Sequence, residues 1–214
     1  MHFELLVEDV SGKKALDILV PKILGDGHTF DVHSYKGIGH IPKDLHKTKD
    51  PSKRILLNQL PRILRGYGRE FAGYPSDYPV AVVVVCDLDD RCLKTFRDEL
   101  LAVLDDCRPA PVTRFCIAIE EGEAWLLGDP AAIKIAYPKA KDAELNKMGS
   151  TWETLADAVH LGGAIVLKKN GYPAIGEAKF RWAEAIAPWM DVENNQSPSF
   201  VYFRDKLRGL AQGV

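Results

Sequence analysis

Pro79-Val80-Ala81-Val82-Val83-Val84-Val85-Cys86-Asp87-Leu88-Asp89-Asp90 is the stretch on which the fold turns. From Val80 to Cys86 the residues are apolar or small without alternation, the pattern of a strand buried on both faces in the middle of a parallel sheet. Asp87, Asp89 and Asp90 follow at the strand's C-terminal end, where open α/β sheets bind their ligands. Like charges this close repel unless a cation joins them, and hard oxygen donors suit Mg²⁺, Mn²⁺ or Ca²⁺. The competing reading is that these acids cap a helix running from about Asp90 to Asp105, and both readings stay open at this level.

Working outward, Phe3 to Glu8 reads as a first strand, and a helix follows in which Ala15, Leu16, Leu19, Val20 and Ile23 share one face. Ser11 is its expected cap, and Gly25 with Gly27 its stop. Thr29 to Tyr35 is a second strand leading into the glycine-punctuated loop Tyr35 to His40. Asp50-Pro51 predicts the start of a helix through Ile55, Leu56, Leu60, Ile63 and Leu64, kinked at Pro61. After the central strand, a helix turns Leu93, Phe96, Leu100, Leu101 and Leu104 inward, and Val112 to Ile119 forms a fourth strand. That strand also ends in acids, Glu120, Glu121 and Glu123, ahead of a short helix stopped by Gly128. Any one of these could equally serve a helix N-terminus. If the segment stays extended, Glu121 and Glu123 point to one side, whereas on a helix they diverge by roughly 200°.

Beyond Pro130 the strand signal fades. Thr151 to Val159, Glu177 to Trp189 and Pro198 to Leu210 read as helices, while Gly162-Gly163 and Lys168 to Gly171 read as loops. Ser197-Pro198 supplies a cap and a first-turn proline, and Phe200, Phe203, Leu207 and Leu210 form a stripe expected to pack on the sheet. The expected architecture is α/β, with about four mainly parallel strands flanked by helices over residues 1–130 and a helical extension over 131–214 packed on it.

The 214 residues, 46% hydrophobic and 27% charged, are those of an ordinary globular protein. No apolar run reaches the length of a membrane span and no signal-peptide pattern opens the chain, so a cytoplasmic location and no membrane partner are expected. Cys86, Cys92, Cys107 and Cys116 have neither Cys-x-x-Cys spacing nor nearby His, so buried reduced thiols are expected rather than zinc ligands or disulfides. The net charge of −2 is uneven, because Lys36 to Arg69 holds nine Lys/Arg against two Asp. This segment carries Lys36, His40, Lys43, His46, Lys47, Lys49, Lys53, Arg54, Arg62, Arg65 and Arg69. Beside an acidic metal site it suits a polyanion, with Lys36, Arg54, Arg62 and Arg65 the candidate nucleic-acid contacts; a solvated surface loop is the alternative. No Walker loop, Gly-x-Ser-x-Gly or His-Glu-x-x-His motif occurs.

The chain resembles the Toprim domain, in which an acid ends the first strand (here Glu8) and Asp-x-Asp ends a later one (here Asp87 and Asp89). More closely it is similar to a Toprim-like bacterial family without assigned function, related to overcoming-lysogenization-defect nucleases and to anti-phage defence proteins that work beside an ATPase. The similarity is carried by Leu6-Val7-Glu8, Leu57 to Arg65, Cys86 to Asp90, Glu121 to Asp129 and Ser197 to Phe200, and so covers nearly the whole chain. Toprim strands usually end Glu-Gly, whereas Asp9 follows Glu8 here.

The resemblance implies a Rossmann-like Toprim core and a hydrolase that breaks phosphodiester bonds in DNA or RNA with Mg²⁺ or Mn²⁺. Glu8 would be its general acid or base and a metal ligand. Asp87 and Asp89 would be ligands, and Glu121 and Glu123 would hold a second ion. Lys179 would stabilise transition-state charge, with a plain solvated lysine as the alternative. The other function implied is a non-catalytic sensor or effector subunit working with a partner ATPase. Val7-Glu8-Asp9 is also similar to the acidic pair of phospho-receivers, although Glu8 is too far along the chain from Asp87 for that pattern.

Overall fold

A computed structural model describes residues 1–47, 50–119, 121–145 and 151–213. Lys49 of the basic segment and Glu120 of the acidic one lie outside them. Strands β1 (His2–Val7), β2 (Thr29–Ser34), β3 (Val80–Asp87) and β4 (Thr113–Ala118) form an all-parallel sheet in the order β2-β1-β3-β4. In register, Val7 lies beside Val85 of β3 and Ser34 of β2, and Asp87 lies beside Ala118 of β4. The unbroken apolar run of β3 is explained by its central place: Val80 to Cys86 are all buried.

Helices follow as α1 (Val10–Leu24), α2 (Leu56–Phe71), α3 (Leu93–Asp105), α4 (Glu123–Leu127), α5 (Pro130–Ala136), α6 (Asp142–Leu145), α7 (Trp152–Val159), α8 (Gly163–Asn170), α9 (Tyr172–Ile186) and α10 (Pro198–Ala211). None of them is long and apolar enough to cross a membrane. The two faces of the sheet carry separate cores. Phe3, Leu5, Val7, Val83 and Val85 pack with α1, α9 and α10, whereas Leu6, Val82, Val84 and Cys86 pack with α2 and α3. Phe200, Phe203, Leu207 and Leu210 are buried as the stripe on α10 requires, and Trp125 stacks on Phe203 at 4.8 Å. The helical C-terminal region therefore shares one core with the sheet.

Several boundaries differ from the sequence expectation, each for a local reason. Asp9, not Ser11, caps α1: its carboxylate accepts the Gly12 N–H and the Ser11 hydroxyl, both at 2.7 Å. Asp50-Pro51 starts only a 3₁₀ turn, Pro51–Lys53, because Arg54 turns left-handed at φ 51°. Helix α2 begins at Leu56 instead, where the carbonyls of Gly37 and Ile38 accept the N–H groups of Leu56 and Leu57 at 3.1 and 2.9 Å. Arg54, inside the helix expected from Asp50-Pro51, thus precedes α2.

Helix α3 begins at Leu93, and Asp89 at φ 50° marks a turn before it, so Asp87, Asp89 and Asp90 do not cap it. Its buried stripe is Phe96, Leu100 and Val103, while Leu93 and Leu101 face solvent. Gly163 and Lys168 to Asn170, expected in loops, belong to α8, whose Ala164 N–H is taken by the Asp157 carboxylate at 2.8 Å. Lys168 and Lys169 fall in its last turn, where cations suit the helix dipole. Helix α9 starts at Tyr172, earlier than expected, because Pro173 fits its first turn, and it gives way to a 3₁₀ turn at Ala187–Trp189. Ser197 makes no side-chain cap; its N–H donates to Asn195 at 2.9 Å. Of the four free cysteines, Cys92 is exposed rather than buried.

Candidate active site

Strands β1 and β3 are neighbours, but the helices that follow them leave to opposite faces, α1 to one and α3 to the other. The chain therefore opens a crevice at their C-terminal ends, the topological switch point where parallel sheets bind ligands. Glu8 stands there directly after β1, and its Oε2 accepts the backbone N–H of Asp87 at 3.4 Å. A narrow cavity of about 50 Å³ lies at this point, lined among others by Glu8, Asp9, Asp87, Gly122, Glu123 and Lys179. That volume holds an ion or a few waters and falls far short of the ~300 Å³ of ordinary small-molecule pockets. A larger substrate would have to present one group at the mouth.

The electrostatics are those of acids short of cations. Burial, and then the charge of Asp9, pushes the Glu8 carboxyl up to about 7. Burial, and then Glu8 and Glu123, raises Asp87 well above the ordinary carboxylate range. Glu123, 6% exposed on the first turn of α4, is raised by burial and countered by Lys179. Lys179 comes from α9, and its Nζ lies 2.9 Å from Glu123 Oε2 and 3.6 Å from Glu121 Oε2. It is 16% exposed, which replaces the solvated-lysine alternative with a buried charge shared between two acids. Burial lowers its pKa, but Glu123 and Glu121 outweigh burial and raise it overall.

The other candidates are placed differently. Glu121 accepts the Trp152 N–H at 2.9 Å and so serves the N-terminus of α7. Asp89 is about half exposed, faces Arg91 at 3.5 Å and lies outside the cavity lining, although its charge still raises Glu8. Arg91 in turn donates to the Gly39 carbonyl and sits over the Phe96 ring at 4.8 Å. Among the described residues these acids do not bring three ligand atoms within 4.8 Å of one another. The pair Glu8 and Asp87, with two carboxylates and room for waters, is what Mg²⁺ commonly uses together with a substrate phosphate. Pattern reasoning misses the part played by Asp9, and the Glu8-Asp9 pair followed by Gly12 is the only signal that could have shown it.

The basic segment divides into structural and free members. Arg54 donates to the Ser34 carbonyl at 2.7 Å; Arg65 pairs with Asp106 at 2.9 Å and donates to the Leu45 carbonyl at 2.8 Å. Both fasten the loop after β2. Lys36 is exposed beside Gly37, whose N–H donates to the Glu8 carbonyl at 2.8 Å, and Arg62 is exposed on α2. If nucleic acid lies along this edge, Lys36→Ala with Arg62→Ala should flatten log K against log salt by about 0.7–0.9 for each phosphate no longer neutralised. Arg65→Ala should lower the melting temperature and leave that slope unchanged. An unchanged slope in the double variant, measured by fluorescence anisotropy across a salt series, would make the segment a solvated face.

Compared with family models, curated proteins and solved structures, the chain matches none.

Proposed function

We propose that the chain is a Mg²⁺- or Mn²⁺-dependent nuclease of the Toprim type that hydrolyses phosphodiester bonds in DNA or RNA. The observation that carries this reading is the pairing of Glu8 and Asp87 at the switch point, two carboxylates lining one cavity with their pKa values raised and, among the described residues, no ion-pair partner of their own. Lys179, the nearest candidate, is engaged by Glu121 and Glu123. A hard divalent cation held by Glu8 and Asp87 fits that donor set, and it would supply charge neutralisation on the scissile phosphate.

The Glu8 carboxyl stands near 7 without metal, and holding the ion would lower it, leaving a carboxylate suited to taking a proton from an attacking water. Lys179 positions Glu121 and Glu123 and adds positive field at the cavity. The narrow cavity suits a phosphate offered at its mouth, and exposed Lys36 beside the site suits the adjoining backbone. A role in phage defence is part of the proposal and rests on the resemblance alone.

A second reading is favoured by Asp89 turning to Arg91 and by Glu121 serving α7: one expected ligand of the first ion and one of the second are engaged elsewhere. On that reading the chain is a non-catalytic sensor or effector subunit beside a partner ATPase. Incubation with supercoiled plasmid, single-stranded DNA and RNA in Mg²⁺ or Mn²⁺ separates the two. The nuclease reading expects chelator-sensitive cleavage that falls at least a hundredfold in both Glu8→Gln and Asp87→Asn. Cleavage that survives both substitutions, or none on any substrate, would leave the non-catalytic reading in its place.

A further inference from the structure

At the opposite end of β1 from Glu8, His2, Glu4 and Asp31 of the neighbouring β2 converge on one face of the sheet. His2 Nε2 lies 3.4 Å from Glu4 Oε1 and 3.7 Å from Asp31 Oδ2. Ligand atoms around a tetrahedral ion with bonds of about 2.0–2.1 Å stand about 3.3 Å apart, close to both separations. Among the described residues this is the one group whose three ligand atoms lie within 4.8 Å of each other. We propose that His2, Glu4 and Asp31 bind a divalent first-row transition metal ion of the Zn²⁺ class, clipping the edge strand β2 to β1.

The surroundings orient each ligand as such a site requires. His2 Nδ1 is 2.8 Å from the Thr29 hydroxyl, and donation there leaves Nε2 with its lone pair turned to the acids. The far oxygen of Glu4, Oε2, is held by His33 Nε2 at 2.6 Å and by the Tyr67 hydroxyl at 3.3 Å, so that Oε1 faces His2. His2 and Glu4 are largely covered, while Asp31 is 68% exposed and leaves the fourth position open to water. Imidazole with two carboxylates selects Zn²⁺, Co²⁺ or Ni²⁺ over Mg²⁺, which sets this site apart from the strand-end acids. The arrangement that competes is a protonated His2 bridging the two carboxylates without metal.

The test is calorimetric titration of Zn²⁺ into the untagged, metal-stripped chain, with thermal melts alongside. With Mg²⁺ in excess to fill the strand-end acids, one Zn²⁺ per chain is expected, with a rise in melting temperature of roughly 5–10 °C at a hundredfold excess over the dissociation constant. His2→Ala and the exposed Asp31→Asn should each weaken binding at least tenfold, and Asp98→Asn, an exposed acid on α3, should bind Zn²⁺ as wild type does. The absence of stoichiometric binding would overturn the site in favour of the protonated bridge. So would unchanged affinity in both His2→Ala and Asp31→Asn, or loss of binding only in Asp87→Asn.

Discussion

Lys179→Met is expected to destabilise the protein by about 3–5 kcal/mol at neutral pH, the cost of leaving a buried carboxylate without its partner. For a chain of this size that lowers the melting temperature by roughly 6–20 °C. The reason is that Glu123 is 6% exposed and has Lys179 Nζ at 2.9 Å, with Glu121 beside it at 3.6 Å from the same ammonium. The deficit should depend on pH in one direction. The folded-state pKa of Glu123 already lies above its ordinary value of 4.5 and would rise further without the lysine. The folded variant then binds more protons than the unfolded chain as pH rises above 4.5, so its stability falls with rising pH; toward acid the deficit shrinks. Glu123→Gln in the Lys179→Met background should recover part of the loss. A loss below about 1 kcal/mol in the single variant, the range of exposed ion pairs, would mean the pair is solvated.

Glu8→Gln is expected to act in the opposite sense, stabilising the metal-free protein by up to about 3 kcal/mol at pH 8. The carboxyl stands at about 7 in the fold against an ordinary 4.5. Between those values the folded state holds the proton that the unfolded state has released. Stability is therefore lost as pH rises from 4.5 through 7, and the whole penalty is present above 7. Glutamine carries no charge and still offers an oxygen to the Asp87 N–H, so the gain should be complete above pH 7 and vanish below about 4.5. Asp87→Asn should move stability the same way, because burial, and then the Glu8 charge, raises the Asp87 carboxyl. Chemical denaturation at pH 5 and pH 8 in chelator reads both; a Glu8→Gln variant no more stable than wild type at pH 8 would show that Glu8 is not held as a buried, repelled acid.

The parts of this molecule that were legible in the sequence are those written in local pattern. The unbroken Val80 to Cys86 run placed β3 at the centre of a parallel sheet, and the acids after β1, β3 and β4 marked its C-terminal edge. The Phe200, Phe203, Leu207 and Leu210 stripe likewise stated its burial. What pattern does not contain is the partner of a polar side chain. Arg54 and Arg65 look like the rest of a basic run until the Ser34 carbonyl and Asp106 are seen beside them. Asp89 shares a motif with Asp87, yet its left-handed backbone turns it to Arg91. Lys179, far along the chain from the acids it pairs with, reaches them only because α9 packs against α1 and α4. Helix boundaries failed for a related reason: the N–H groups that start α2 are satisfied by Gly37 and Ile38 across a loop, and no capping residue announces it.

The claim at the centre of this picture is that Glu8 and Asp87 share a divalent cation at the switch point between β1 and β3. Thermal melts of wild type, Glu8→Gln and Asp87→Asn in chelator and in Mg²⁺ at tenfold its dissociation constant test it most directly. Wild type is expected to gain about 1.4 kcal/mol from Mg²⁺, a rise of roughly 3–6 °C, while each variant starts higher in chelator and loses most of that response. A Mg²⁺ shift equal in all three proteins, or absent from all three, would contradict it.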